Sequence, residues 1–208
     1  MTHDPPGVLR GQVERLVALG YPALAGRSEE AFRALVAPLA EAALDLPAEG
    51  DAPLVLVVTR DVVRPEDTVP LLRLDGGTRP GFVDRNHADG DLATYDPLPE
   101  LGVPGQAYLL TGVERGEEFC GVKPQDAMPV IRSRGRTPLT IDEGIALVTH
   151  APHLLEKNTC FMLAGSRRHD RRVPALWISE KAPKLGWCWD GNPHSWLGVA
   201  SAAGRLGG

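Results

Sequence analysis

The residue types able to do chemistry fall in three places. The stretch Asp84-Arg85-Asn86-His87 follows a short apolar run, and four polar side chains at a strand end mark a loop aimed by a rigid element. His87 has a side chain suited to proton transfer near neutral pH. The same four residues also read as a turn, with Asp84 and Asn86 bonded to the backbone and Arg85 paired with an acid. The second place is 165–172, Gly-Ser-Arg-Arg-His-Asp-Arg-Arg. Its guanidinium groups, led by Arg167 and Arg168, match phosphate or carboxylate bidentately. A solvated charged hairpin is the alternative. The third is 187–196, Trp-Cys-Trp-Asp-Gly-Asn-Pro-His-Ser-Trp, where Trp187 and Trp189 share one face of a strand and Cys188 takes the other. Those indoles are either core or a stacking wall for a planar ligand, with Asn192 and His194 on the turn beside them.

These places define two functional expectations. The first is a binding module for a small anionic or planar ligand. Arg85, Asn86, Arg167, Arg168, Lys184, Trp187, Trp189 and Asn192 would contact the ligand, and Asp84 and His87 would orient it. The second is an enzyme in which His87 or His194 is the general base and Asp84 or Asp190 its partner, which requires 84–87 and 190–196 to meet in one cleft. A protein–protein interaction module with exposed Trp is a third. Cys188 and His194 are too few to define a metal site. Cys120 follows Glu117 and Glu118, whose charge disfavours a thiolate. His150 and His153 flank Pro152 at a helix end, where a charged imidazole caps the dipole. No Walker loop, dinucleotide fingerprint, Gly-x-Ser-x-Gly elbow or His-Glu-x-x-His occurs, so no pattern names a cofactor or a reaction.

Charge narrows the partners. Residues 1–104 carry 17 acidic and 9 basic groups, net −8, whereas 157–184 carries seven basic groups against two acids. The whole-chain pI near 5.7 argues against a dedicated nucleic-acid binder. The local basic excess still suits an anionic ligand. The longest apolar run, 54–58, is too short to span a bilayer, and residues 1–6 show no secretory leader pattern. Three cysteines without a Cys-x-x-Cys unit fit free thiols in the cytoplasm.

The elements that must position these residues are legible in part. Leu9, Val13, Leu16 and Val17 recur at helical spacing, and Ser28 reads as the N-cap of a second helix burying Phe32, Leu35, Val36, Leu39 and Ala43. Strands are expected at 54–58, 71–74, 107–113, 160–164, 173–179, 185–189 and 195–200, with a long loop over 88–105. Helices are expected from Arg64-Pro65, over 124–134, and from Thr140, where Thr140 and Glu143 form a capping box. Helices early and strands late give an α+β fold: an N-terminal helical pair over 1–46 packed on a mixed, mostly antiparallel sheet within 53–205, the two forming one compact unit.

Three segments carry a family resemblance: 81–87 (Gly-Phe-Val-Asp-Arg-Asn-His), 136–144 (Arg-Thr-Pro-Leu-Thr-Ile-Asp-Glu-Gly) and 183–189 (Pro-Lys-Leu-Gly-Trp-Cys-Trp). Together they resemble an actinobacterial family, domain of unknown function 5701, from about Gly20 to Arg205. The resemblance implies a bacterial cytoplasmic protein and carries over no catalytic residue and no cofactor.

Overall fold

A computed structural model describes residues 4–44 and 46–207. Residues 1–3, read above for a leader, and Asp45 in the helical segment lie outside the described residues. The helices are α1 (Pro5–Ala18), α2 (Tyr21–Leu24), α3 (Glu29–Val36), α4 (Leu39–Ala42), α5 (Pro65–Thr68), α6 (Pro124–Ser133) and α7 (Ile141–His150). The strands are β1 (Ala52–Val58), β2 (Phe82–Val83), β3 (Asp96–Pro97), β4 (Ala107–Val113), β5 (Thr137–Pro138), β6 (Cys160–Met162), β7 (Ser166–Arg167), β8 (Arg172–Ser179), β9 (Ala182–Trp189), β10 (Leu197–Val199), β11 (Ser201–Ala202) and β12 (Gly204–Leu206). The fold is α+β, and its strand pairings are mostly antiparallel; β10 with β6 and β2 with β9 run parallel.

The strands divide into a three-stranded sheet, β1-β4-β12, and a five-stranded sheet, β10-β6-β8-β9-β2, with two small ribbons. β1 has no polar alternation because both its faces are buried. Leu54 and Leu56 pack with Leu9, Leu16, Phe32, Val36 and Leu39 of the N-terminal helices. Val55 and Val57 face the main core, with Tyr108, Leu110, Ile145 and Phe161. The first sheet is therefore the wall between the N-terminal helices and the rest.

β1 is an edge strand, and its outer backbone groups need partners. Gln12 of α1 supplies them: its Oε1 accepts from Leu56 N at 2.6 Å and its Nε2 donates to Leu54 O at 2.8 Å. One amide side chain stands in for a neighbouring strand. The next outward group, Leu56 O, is 3.1 Å from His150 Nε2.

That contact corrects one expectation. His150 is not a charged cap at the end of α7; its ring is packed against β1, and burial, then the Arg15 charge, pushes its pKa down to about 3. Other local expectations hold. Ser28 Oγ accepts from Ala31 N, and Thr140 and Glu143 form both bonds of the capping box. The Glu143 carboxylate, fully buried, also holds Arg205 Nε at 2.6 Å and Nη2 at 2.8 Å and accepts from the Tyr108 hydroxyl at 2.6 Å. The expected strand at 71–74 does not form. Leu71 ends a 3-10 turn begun at Val69-Pro70, where proline removes a ladder donor. The loop at 88–105 is less irregular than expected: β3 pairs with β7 across it. The thiol of Cys120 is raised as expected, but by burial first and Glu117 second. Among the described residues, no helix is long and apolar enough to cross a membrane.

His150 makes stability depend on acidity. Its unfolded value is 6.5 and its folded value about 3, so between them the unfolded chain binds the extra proton. Stability is thus full above about pH 6.5 and falls as pH drops towards 3. Urea denaturation at about pH 7 and pH 4.5 should show that loss in the native chain and a smaller one in His150→Gln. Equal losses in both would remove His150 as the cause.

Candidate functional site

The parallel pairing of β2 with β9 sets Phe82 against Lys184 and Val83 against Leu185, and delivers the chain into Asp84. Asp84 N donates to Leu185 O at 2.8 Å. Its carboxylate accepts from Asn86 N at 2.7 Å and meets Lys184 Nζ at 2.5 Å, and its carbonyl accepts from His87 N. Burial alone would raise the Asp84 carboxyl, but Lys184 and the Asn86 N–H outweigh it and hold the group below the ordinary carboxylate range. Lys184 Nζ also stands 5.6 Å from the centre of Phe82 and 5.3 Å from that of Trp177. Trp177 reaches this position by lying over Gly186, where any Cβ would collide with the indole.

The turn reading of 84–87 is therefore met for Asp84. Arg85 is exposed and has no acid partner among the described residues. His87 packs edge-on against Tyr95, with ring centres 5.7 Å apart. Neither of its ring nitrogens has a hydrogen-bond partner among the described residues, and both are shielded from solvent. Burial is the main reason its pKa lies below 6.5, so the imidazole is neutral at pH 7.

His87 lines an open cleft of about 610 Å³. One wall comes from Arg60, Arg64, Pro65 and Glu66, the other from Val83, Asp84, Arg85 and the 88–93 segment. Several of these charges are already engaged. Arg60 grips Asp142 through Nε at 3.1 Å and Nη2 at 3.2 Å, and its Nη1 donates to Leu92 O and Tyr95 O. Arg64 pairs with Asp67. Arg85, Glu66 and Asp89 are left facing the cleft, so its mouth carries both signs.

Behind His87 the basic hairpin closes on the same segment. Arg168 Nη1 stands 2.8 Å from Asp91 Oδ2, and Arg172 Nη1 stands 3.8 Å from the same oxygen. Asp170 Oδ2 lies 3.5 Å from Arg168 Nε and 3.2 Å from Arg172 Nε. Arg172 also stacks over Trp187 at 4.2 Å, and Trp187 meets Trp189 edge-on at 5.0 Å. These charge contacts are poorly angled for hydrogen bonding. Among the described residues, Arg168 Nε and Nη1, Arg172 Nε, Trp187 Nε1 and Tyr95 Oη find no well-angled hydrogen-bond partner, although all are shielded from solvent. The Tyr95 side chain is fully buried, surrounded by Arg172, Arg168 and Asp170, and burial pushes its hydroxyl up to about 12. It is a neutral donor.

The expected site residues thus fall into two groups. Asp84, Arg85 and His87 line the cleft and Asn86 belongs to the same turn without lining it, with Lys184 bonded to Asp84 and Arg168 and Trp187 joined to the cleft wall through Asp91 and Arg172. Arg167 instead pairs with Asp190 at 3.3 Å. His194 packs on Trp196, which packs on Trp177. Asn192 is exposed, and Trp189 is 43% exposed. Among the described residues, no hydrogen bond, ion pair or ring contact joins His87 to His194. Cys188 Sγ lies 3.2 Å from Met162 Sδ, and burial pushes that thiol up to about 12. Arg60, Asp91, Tyr95 and Arg172 are the site residues that the local sequence did not single out. Arg172 lay in a segment already marked as basic; the others have no local signature.

The Asp84–Lys184 pair is mostly buried, with side chains 9% and 19% exposed. Lys184→Met should destabilise the chain by about 3 kcal/mol, because it strands a buried carboxylate, and adding Asp84→Asn should recover part of the loss. Urea denaturation of the singles and the double reads the coupling. Additive losses would show that the pair has no energetic link.

Neither curated proteins nor solved structures yielded a match. A family model does: residues 15–208 match DUF5701, a family of unknown function, and the chain belongs to that family.

Proposed function

We propose that the protein binds a small polar ligand carrying an anionic group, with the ligand's body in the 60–66/83–93 cleft and the anion towards the basic and aromatic wall behind His87. The observation that carries this reading is the concentration of shielded donors that are ion-paired at poor angles or lack a hydrogen-bond partner among the described residues. Arg168, Arg172, Trp187 and Tyr95 all contribute, beside a bare imidazole at the cleft. Buried donors are costly to leave unpaired, and sites that bind acceptor-rich ligands are where proteins keep them. The mixed charge at the mouth suits a ligand body that is polar rather than simply negative.

A second reading, an enzyme with His87 as general base, draws on the same imidazole, which is neutral at pH 7 and belongs to a residue lining the cleft, with both ring nitrogens shielded from solvent. Asp84 would not orient it, since Lys184 and Asn86 N already occupy that carboxylate. An actinobacterial, cytoplasmic setting fits the same proposal. Arginine outnumbers lysine 18 to 4, as GC-rich coding produces, and the three cysteines are free thiols.

Thermal melting against a panel of small carboxylates and phosphates tests the binding reading. A true ligand at a hundred times its Kd adds about 2.7 kcal/mol, roughly a 5–10 °C rise in Tm for a chain of this size. Arg85→Ala and His87→Ala should each shrink the rise while leaving the unliganded Tm nearly unchanged for Arg85→Ala, whose side chain is exposed and unpaired. A panel in which no anion raises Tm, or one in which both variants respond like the native chain, would refute it.

A further inference from the structure

Asp91 and Asp170 look alike in the four-charge cluster with Arg168 and Arg172, but they are anchored differently. Asp170 sits on the same hairpin as the two arginines, and its Oδ1 accepts from Arg172 N at 3.3 Å. It is a fixed part of the basic wall. Asp91 arrives from another segment, the cleft wall at 88–93, where Ala88, Asp89 and Gly90 are exposed. Gly90 has φ +82°, a backbone state glycine adopts freely, directly before Asp91. The Asp91 carboxylate is held by the two guanidinium groups and by Ala88 N at 3.1 Å, all within this seam.

Donors outnumber what Asp91 accepts. Besides the two charge contacts to Asp91, Arg168 Nε and Arg172 Nε meet only Asp170 Oδ2, at 3.5 and 3.2 Å, and Trp187 Nε1 and Tyr95 Oη find no hydrogen-bond partner among the described residues. A carboxylate offers two oxygens; a phosphate monoester offers three terminal ones and a larger charge, and forks of guanidinium N–H groups match it well. The arginine side chains are 16% and 22% exposed and that of Asp91 15%, so the cluster is reachable yet shielded enough for charge-assisted bonds to count.

We propose that Arg168 and Arg172, with Tyr95 and Trp187, form the seat for the phosphate group of a small phosphate monoester, and that Asp91 is an internal carboxylate that occupies this seat until the ligand displaces it. The assignment rests on the small-anion reading above and sharpens it. Displacement leaves the two guanidinium groups paired with an anion throughout, and the arriving phosphate brings more negative charge than the departing carboxylate, which favours the exchange. It also moves the 88–93 wall of the cleft, so the ligand's own anion opens the room its body needs.

Calorimetric titration of the full chain with inorganic phosphate, glycerol 3-phosphate and acetate decides the matter. Asp91→Asn keeps an acceptor for Ala88 N but removes the competing charge, and should bind both phosphates about tenfold more tightly than the native chain. Arg172→Gln and Arg168→Gln should each weaken binding about tenfold or more, and acetate should bind less tightly than phosphate to every form. Should either glutamine variant fail to fold, Arg172→Lys, which keeps the charge and loses the fork, replaces it. Equal or weaker phosphate binding by Asp91→Asn overturns the proposal, as does binding that ignores Arg168 and Arg172. If acetate binds with dependence on Arg85 and His87 while neither phosphate binds native chain or Asp91→Asn, the phosphate assignment falls and the small-anion reading survives. If no anion binds any form, both fall.

Discussion

The candidate site depends on the ion pair between Arg60 and Asp142. Asp142 lies in the first turn of α7 with its side chain 8% exposed, and burial pushes its carboxyl up against the opposing pull of Arg60. The pair is bidentate, and Arg60 N adds a third bond to the same carboxylate. What Arg60 does with its remaining donors matters most: Nη1 reaches Leu92 O and Tyr95 O. One guanidinium therefore fixes the turn after β1, the start of α7 and the segment that carries both Asp91 and Tyr95. Removing either partner would leave the other charge buried and alone, a loss of roughly 3–5 kcal/mol. The next residue, Glu143, serves the interior in the same way, tying Arg205 of β12 and Tyr108 of β4 to the helix. Two adjacent carboxylates thus split one helix start between core and cleft.

Local signals were legible where the physics is local. The capping box at Thr140 and Glu143, the Ser28 cap and the apolar runs of β1 and β4 are set by residues within a few positions of one another, and they formed as read. Partners far away in the chain, and at one place an adjacent proline, account for what was not legible. Gln12 looks like one polar residue on a helix, yet it completes the edge of β1 from 42 and 44 residues away. His150 reads as a helix cap until β1 is found lying against it. The apolar residues at 71–74 promised a strand, but the preceding Pro70 turned them into a connection.

The site follows the same rule. The turn at 84–87 and the arginines of 165–172 stood out because their chemistry is concentrated in sequence. Neither expectation for that hairpin, free anion binder or solvated surface loop, included Asp91, which is far away in the chain; only folding sets it between Arg168 and Arg172. Tyr95 lay in a stretch expected to be loop, and nothing near it in sequence shows that its hydroxyl ends among charges. The basic excess of 157–184 was real as composition and is largely neutralised in space by Asp91, Asp170 and Asp190. Positive charge held against an internal acid is a different device from a bare basic patch. On the proposed reading it limits nonspecific attraction and reserves the arginines for an anion able to displace a carboxylate.

The central claim is that Asp91 and an incoming phosphate compete for one place. A crystal structure of the native chain grown with glycerol 3-phosphate tests it most directly. The account predicts phosphate oxygens between Arg168 and Arg172, bonded to Tyr95 Oη and Trp187 Nε1, with the Asp91 carboxylate moved out towards the cleft. Phosphate bound elsewhere, or Asp91 still seated between the two guanidinium groups at full ligand occupancy, would contradict it.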